Sequence, residues 1–533
     1  MMNQSATAVA KRSWAWPLAI GVAVLLAAPV LAGPAGEQET APLTLSLRDC
    51  IARTLAVSLD VSIEALNPAI FDESVAEAGE KYLPAFGLSF LNQNRTILGT
   101  WGVEGTSYSN KYDYYNADLS QRLPTGGTVT LAFTHSMTNT ERAYTVINPS
   151  YYSELELAIS QPLLKGFGPK VERAETRRAR SQADISRQTL KATLLQTVCD
   201  VEIAYWNLVY SLESLRVAEL SLEQSREILK RSQEGARVGT KSAVEVLSAE
   251  TEVAGWENSV FSARLLVDER QDSLRKLLNM PAGDPFAVPE IIPSDKPEFE
   301  KRAVRYEDAV AAALRERPEI AMVENELAQS AAEVGYAKNQ LLPELNLQFS
   351  TWNPGQSGVK YIYQDGNPFS GIVVDVIKGS RMDSIKDVFR KGSKNWTLSL
   401  NFNLPLGNVF SRARVAKAQL EGERVALELE KRKKDIGYEI AEALKDLAAN
   451  QRKVETSAAY RALLEKRVEA ELQRYQVGLV GSEWLFSYQG RLAQARNDES
   501  RAIIDCRIAL ARLEKAMGTT LKSKNLKFRE FEF

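Results

Sequence analysis

Residues 190–215 read LKATLLQTVCDVEIAYWNLVYSLESL. Their apolar positions, Leu190, Leu194, Val198, Val201, Tyr205, Leu208, Leu212 and Leu215, are spaced by fours and threes, and the rhythm resumes at Leu222 and Leu229. This is a heptad seam, which asks for a partner helix along its whole length. No proline falls between Pro169 and Pro281, and Ala, Leu, Glu, Gln and Arg dominate the stretch, all good helix formers. It predicts two very long helices joined by a tight turn at Val238-Gly239-Thr240. The first would run about 65 residues, roughly 100 Å at the helical rise, against about a dozen residues for an ordinary helix. A rod of that length spans a distance or lines a tube; it does not make a compact enzyme core.

Before the rod the pattern is different. Residues 43–82 read as two short amphipathic helices, closed by Leu83-Pro84. From Ala85 to Asn92, Phe86, Leu88 and Phe90 alternate with Gly87 and Ser89, a strand of period two. Residues 93–153 are rich in Tyr, Thr, Asn and Gly, and alternation returns at 117–121 and 129–133 around the turn Pro124-Thr125-Gly126-Gly127. A further strand runs from Leu155 to Leu163.

After Met280, prolines at 281, 285, 289, 293 and 297 mark an extended linker. Then the programme repeats, and an internal repeat decides the architecture. Leu47–Phe90 aligns without a gap to Tyr306–Phe349, at a constant offset of 259 positions. Asp49 matches Asp308, Leu55 matches Leu314, and Leu83-Pro84 matches Leu342-Pro343. Leu345, Leu347 and Phe349 alternate with polar residues, as do Leu398, Leu400, Phe402 and Leu404; Trp352–Lys394 between them reads as a polar, Gly-rich loop. A second long hairpin spans about Ser411 to Met517, with its turn at Val477-Gly478-Leu479. The organisation read from sequence is therefore a leader at 1–32, a first repeat at 33–280, a linker at 281–304, a second repeat at 305–518 and a tail at 519–533. The leader has Lys11 and Arg12 before the apolar run Leu18–Leu31, and small residues precede a cleavage point near Gly33.

Charge is balanced, 66 basic against 68 acidic residues over 533, which gives no support for nucleic-acid binding. The three cysteines, Cys50, Cys199 and Cys506, are widely spaced and read as buried thiols in helices. A single histidine, His135, makes no metal site; no catalytic triad, paired carboxylates or zinc spacing occurs, and no cofactor is implied. Gly235–Ser242 fails as a phosphate loop because no lysine directly follows its glycine and no strand precedes it. The reading is a non-enzyme.

The strands have about the length that crosses a bilayer when tilted, roughly 9–11 residues. Lipid does not tolerate an open sheet edge, and membrane barrels need at least about eight strands. One chain offers four clear strands and two more candidates, so several copies must share one barrel; the number of copies does not follow. The fold class is α+β, mostly α: an outer-membrane β-barrel continued by a long coiled-coil tunnel, with an internal two-fold repeat. The other reading is a periplasmic coiled-coil scaffold whose strands form a soluble head.

The duplicated plan resembles the TolC-type outer-membrane efflux proteins. Leu83-Pro84, Leu342-Pro343, Gln161-Pro162-Leu163-Leu164, Pro405-Leu406-Gly407-Asn408 and Arg474-Tyr475-Gln476-Val477-Gly478-Leu479 carry the resemblance, over about Leu43 to Gly518. It implies a homotrimer sharing a barrel of twelve strands, set in outer-membrane lipid above an α-helical periplasmic tunnel. It also implies passive export driven by an inner-membrane transporter of RND, ABC or MFS type, joined through a periplasmic adaptor, the membrane fusion protein. The stretch 93–153 is longer than the family's usual first loop, which leaves room for an extra hairpin.

By the same resemblance the hairpin tips meet the adaptor: Val238, Gly239 and Thr240 in the first repeat, Val477, Gly478 and Leu479 in the second. Glycine at such a turn also serves simply to reverse the chain. Charged residues near the tips are gate candidates: Glu245 and Glu483, with Lys241 and Arg474 as cationic partners. The alternative for these is a solvated helix face. Tyr108, Tyr112, Tyr114, Tyr115, Tyr144, Tyr151 and Tyr152 are candidates for an interfacial girdle, or ordinary loop tyrosines.

Overall fold

The heptad stretch lies, in the computed structural model, within a single helix of 64 residues. The structure describes residues 42–98, 107–142, 144–280, 289–390, 395–404, 409–477 and 479–526. The leader 1–32, residues 405–408, Gly478 and residues 527–533 of the tail lie outside them. The described residues of Thr44–Pro281 and Ile291–Phe533 form one unit.

In chain order, β1 (Leu43–Leu45) precedes α1 (Leu47–Val57) and α2 (Leu59–Glu80). Four strands follow: β2 (Ala85–Leu98), β3 (Ser107–Arg122), β4 (Thr128–Thr140) and β5 (Ile147–Pro162). A short turn of helix, α3 (Pro169–Glu172), leads into α4 (Ala174–Arg237) and α5 (Ala243–Leu277). The second half runs β6 (Ile291–Pro293), α6 (Tyr306–Glu316), α7 (Pro318–Asn339), β7 (Glu344–Tyr363), β8 (Val373–Lys378), α8 (Arg381–Phe389) and β9 (Asn395–Asn403). It ends with α9 (Val409–Gln476), α10 (Ser482–Ala516) and α11 (Thr520–Ser523).

Local chemistry sets the boundaries. Ser46 accepts from the Asp49 amide at 3.2 Å while Asp49 accepts from the Ser46 amide at 3.1 Å, a reciprocal cap that starts α1. Ser58 ends α1 and caps α2 by accepting from the Val61 amide. The heptad seam is the core of the rod. Leu190, Leu194, Val198, Val201, Tyr205 and Leu208 are completely buried, on a helix packed against α2, α5, α7 and α10. The second half matches it: Ile436, Ile440, Leu447 and Val454 of α9 close over Ala502, Cys506, Ala509 and Leu513 of α10, with Ala309 and Ala313 of α6 and Ile320 of α7. Each leucine, isoleucine or valine among them contributes about 1.5–3 kcal/mol on burial. All three cysteines are buried and free. Burial pushes the Cys50 thiol to about 12 and the Cys199 thiol to about 11.

The sheet fills in one reading from sequence, the room for an extra hairpin in 93–153, and corrects another. Residues 107–140 form a full antiparallel hairpin, β3–β4, inserted between β2 and β5, so the order is β2-β3-β4-β5-β7, with β9 and β8 both paired to β7. β9 pairs residues 344–352 of β7 and β8 pairs its far end, 359–363. Within 352–394, the described residues 352–390 are not a loop: β7 continues to Tyr363, and β8 and α8 follow. The polar and glycine content there has a packing reason. A Cβ on Gly355 would stand 2.1 Å from the Ser384 carbonyl oxygen, so a bare backbone is what lets α8 lie on the sheet.

Register gives the sheet two unlike faces. Phe86 faces Leu119, Leu119 faces Leu131, Leu131 faces Leu157, Ile159 faces Phe349 and Phe349 faces Leu398, a continuous apolar band. These side chains are exposed: Leu88 at 74% and Phe86 at 67%. The other face carries Asn116, Asp118, Thr130, Thr134, Glu154, Glu156, Gln348, Ser399 and Asn401. The alternation also splits the candidate tyrosine girdle. Tyr115 and Tyr151 lie beyond the band on its own face, whereas Tyr108, Tyr112, Tyr114 and Tyr152 are on the polar face and Tyr144 is in no strand. α8 covers the far end of the apolar face, where Arg381 lies over Tyr115 and Tyr151 and Ser384 meets Ser153 at 3.0 Å. Ser153 in turn meets the His135 ring at 2.8 Å. Among the described residues no strand pairs the outer edge of β2 or of β9, so the sheet is open on both sides.

Where the sheet meets the rod, Lys81 at 3.7 Å and Arg122 at 2.7 Å converge on Glu172, whose side chain is nearly buried. Strand ends, α2 and the start of the long hairpin are thereby tied at one level.

Candidate functional site

Both hairpin turns end helices in the ways their residues allow. At the first, Gly239 has φ +78°, a left-handed conformation that a residue with a Cβ rarely adopts. The Gly235 carbonyl accepts from the Thr240 amide at 2.8 Å and the Lys241 amide at 3.2 Å. Ser242 then starts α5 by accepting from the Glu245 amide at 3.2 Å. At the second turn the Leu479 amide donates to the Arg474 carbonyl at 2.9 Å. Val238, Val477 and Leu479 stand out into solvent, at 73%, 71% and 70% exposure, with Val244, Leu247 and Trp484 also exposed nearby.

The structure brings the two turns together. Ile228 and Ala249 from the first hairpin pack with Tyr475, Leu485 and Phe486 from the second. Lys241 lies over the Tyr475 ring, its Nζ 4.6 Å from the centroid, and the Tyr475 hydroxyl is 3.5 Å from Ser232 Oγ. The same Lys241 Nζ is 3.5 Å from Glu245 Oε2, an oxygen shielded from water. Gly235 makes room for this side chain, since a Cβ there would fall 2.5 Å from Lys241 Cγ. Of the four gate candidates, Lys241 and Glu245 are thus paired. Arg474 is not partnered as expected: it pairs with Glu471 at 3.2 Å, as does Arg467 at 2.7 Å. Glu471 sits on the same helix one turn earlier and is nearly buried, so it captures both cations before any residue of α10 does. Glu483, in the first turn of α10, is paired with neither Lys241 nor Arg474. Tyr475, Ser232 and Gly235 were missed from sequence; only Tyr475 carried a signal, as an aromatic one residue from a helix end.

Among the described residues no cluster of His, Cys, Asp or Glu could hold a metal ion, and no single helix is long and apolar enough to cross a membrane.

A sequence model of a family described as outer membrane efflux protein matches residues 51–280 and 309–519. The chain belongs to the outer membrane efflux protein family. Membership sets this efflux protein at the outer membrane. It is 25% identical over 359 residues to the Pyoverdine export outer membrane protein OpmQ of Pseudomonas putida, covering 66% of this chain and 67% of that one. It is 22% identical over 351 residues to the Solvent efflux pump outer membrane protein SrpC of Pseudomonas putida, covering 62% of this chain and 64% of that one. The aligned stretch thus spans about two thirds of the length of these relatives. The fold of the efflux protein is similar to that of the Campylobacter jejuni CmeC outer membrane channel, with TM-score 0.59 and 16% identity over 90% of each chain.

Proposed function

We propose that three copies of this chain share one barrel in the outer membrane and one helical tunnel beneath it, as the outer-membrane channel of a tripartite efflux or type I secretion system. One observation carries the reading: a two-faced sheet with both edges open is joined at Glu172 to helical hairpins of 64 and 68 residues in their leading helices. The apolar band from Phe86 to Leu398 meets lipid and the face bearing Asp118, Glu154 and Gln348 meets water. Edges unpaired in one chain pair with the next copy, since lipid leaves no open edge. The helices offer seams for the same neighbours: Leu59, Ile63, Leu66 and Ile70 of α2 form an exposed stripe at helical spacing, and Leu420 and Leu427 of α9 stand one heptad apart.

The conduit is passive. A periplasmic adaptor docks on Val238, Val477, Leu479 and the turns around them, and an inner-membrane transporter of RND, ABC or MFS type supplies the driving force. Glu245 with Lys241 forms part of the closed end. The leader at 1–32 directs export, two repeats at 33–280 and 305–518 flank the linker at 281–304, and the tail at 519–533 remains periplasmic. The test is the purified full chain in a planar bilayer. Stepwise conductance from an SDS-resistant, heat-modifiable oligomer supports the channel. A protein released from membranes by salt alone, without conductance, overturns it in favour of a periplasmic scaffold.

A further inference from the structure

The two halves of the duplicated chain do not contribute equally to the sheet. In the second half two strands, β7 and β9, leave the level of the helices and return to it; β8 pairs only the outer end of β7. In the first half four strands do so: β2, β3, β4 and β5. Among the described residues the hairpin β3–β4 has no counterpart across the repeat.

This hairpin is built as barrel wall. β3 has 16 residues and β4 has 13, against 14 for β2 and 16 for β5. Its ladders run unbroken, Ala85 with Ser120 through Leu98 with Ser107, and Thr128 with Ser160 through Thr138 with Ser150. It carries both faces in phase with its neighbours, with Ala117, Leu119, Leu131 and Phe133 in the apolar band and Asn116, Asp118, Thr130 and Thr134 opposite. Its turn is seated on the shoulder of the rod. Gly168 donates to the Thr125 carbonyl at 3.0 Å, Thr125 Oγ1 donates to Gln161 Oε1 at 2.8 Å, and Arg122 pairs with Glu172. Gly126, at φ +92°, lies so close to Gly166 that a Cβ would meet its carbonyl oxygen at 2.4 Å. Both strands therefore start at the same level as β2 and β5 and cross the entire apolar band.

We infer that the β3–β4 hairpin adds two wall strands per copy, so that the three-copy pore closes with eighteen strands instead of twelve and passes bulkier cargo than a twelve-stranded exit. This rests on the shared-barrel reading above. With strands about 4.8 Å apart and tilted about 40°, each takes roughly 6 Å of circumference. Six more strands widen the barrel by about 12 Å, and its cross-section grows about twofold because diameter scales with strand number. The short inward side chains of the hairpin's lower half, Asn116, Asp118, Thr130 and Thr134, leave that space open instead of refilling it.

The test is a cryo-electron microscopy map of the full chain reconstituted in lipid, in which copies and strands are counted. Three copies with eighteen strands is the expected result. Three copies with twelve strands, the hairpin lying outside the wall, overturns the inference and leaves the channel intact. A two-copy barrel of twelve strands overturns it together with the copy number, and no closed barrel overturns both readings. A second measurement reads the pore itself. Ser160→Cys, on the polar face of β5, is probed with maleimide-polyethylene glycols of graded size in the full chain and in a chain where residues 99–146 are replaced by a short Gly-Ser link. The full chain is expected to label with polymers about 12 Å wider; an equal cut-off overturns the inference. If the shortened chain fails to fold, the strand count of the full chain decides alone.

Discussion

Lys241, in the turn of the first hairpin, lies flat over Tyr475, one residue from the end of the long helix of the second, with 4.6 Å between ammonium and ring centroid. Such a contact is worth about 0.5–2 kcal/mol depending on desolvation. With the Tyr475 hydroxyl near Ser232, it is a polar contact joining the two hairpin ends, beside the apolar cluster of Ile228, Ala249, Leu485 and Phe486. Tyr475→Ala is expected to loosen the tips and raise open probability in planar bilayers, while Tyr475→Phe, which keeps the ring, stays near the parent. Equal conductance in both variants would confine the contact to local packing.

Leu479 is 70% exposed and has little packing to lose. Leu479→Ser should therefore change unfolding free energy by no more than about 0.5 kcal/mol while abolishing export in a deletion strain. The two measurements separate a docking residue from a structural one, and a parallel loss of folded protein would contradict the assignment.

α11 and the residue after it are clipped to α6 and α4 by ion pairs from Lys522 to Glu316 at 2.7 Å and from Lys524 to Glu202 at 3.0 Å. The hydrogen bond from Lys522 is the main cause holding the Glu316 carboxyl below its ordinary value. Its folded pKa is lower than its unfolded one, so the clip contributes fully above about pH 4.3 and is lost as pH falls through the lowered value. Thermal melts should show an acid-side loss of stability that Lys522→Met reduces; an unchanged acid limb would remove this pair as a contributor.

Burial keeps Cys50 and Cys199 protonated, with thiols pushed to about 12 and about 11, and Cys506 is shifted upward by the same cause. Since the thiolate is the reactive form, all three should resist maleimide at neutral pH in the native protein and label stoichiometrically in denaturant. Mass spectrometry after a timed pulse reads this directly.

Gly355 is the floor on which α8 rests. Gly355→Ala would push a methyl carbon to 2.1 Å from the Ser384 carbonyl oxygen, so α8 must lift. Trypsin cleavage after Arg381 or Lys386 should become faster in this variant, with the long hairpins still protected. Unchanged cleavage would mean that the strand itself shifts to make room.

The rod was legible because its period and length exceed anything a compact core uses: Leu190 to Leu215 announces a partner by spacing alone, and all its deepest positions are buried. The turn at Gly239 was legible for a local reason, its positive φ. The sheet was only half legible. β3 and β4 were visible as five-residue fragments because tyrosines and asparagines at their outer ends break the apolar alternation without breaking the ladder. Residues 352–394 misled because alternation stops where α8, not lipid or core, covers the strand. At the tips, Arg474 was matched to a distant acid although Glu471 lay one turn away on its own helix. Lys241 and Tyr475 are 234 positions apart in sequence, and nothing local predicts their contact.

The unpaired edges of β2 and β9 bear on genetics. On the proposed shared barrel a chain completes its wall with siblings, and it cannot be silent when defective. A variant that keeps one sound edge and spoils the other would still enter mixed assemblies, and most pores in a cell carrying both alleles would contain a bad copy. Lesions at these edges should therefore behave as dominant, whereas lesions that unfold the rod before assembly should be recessive.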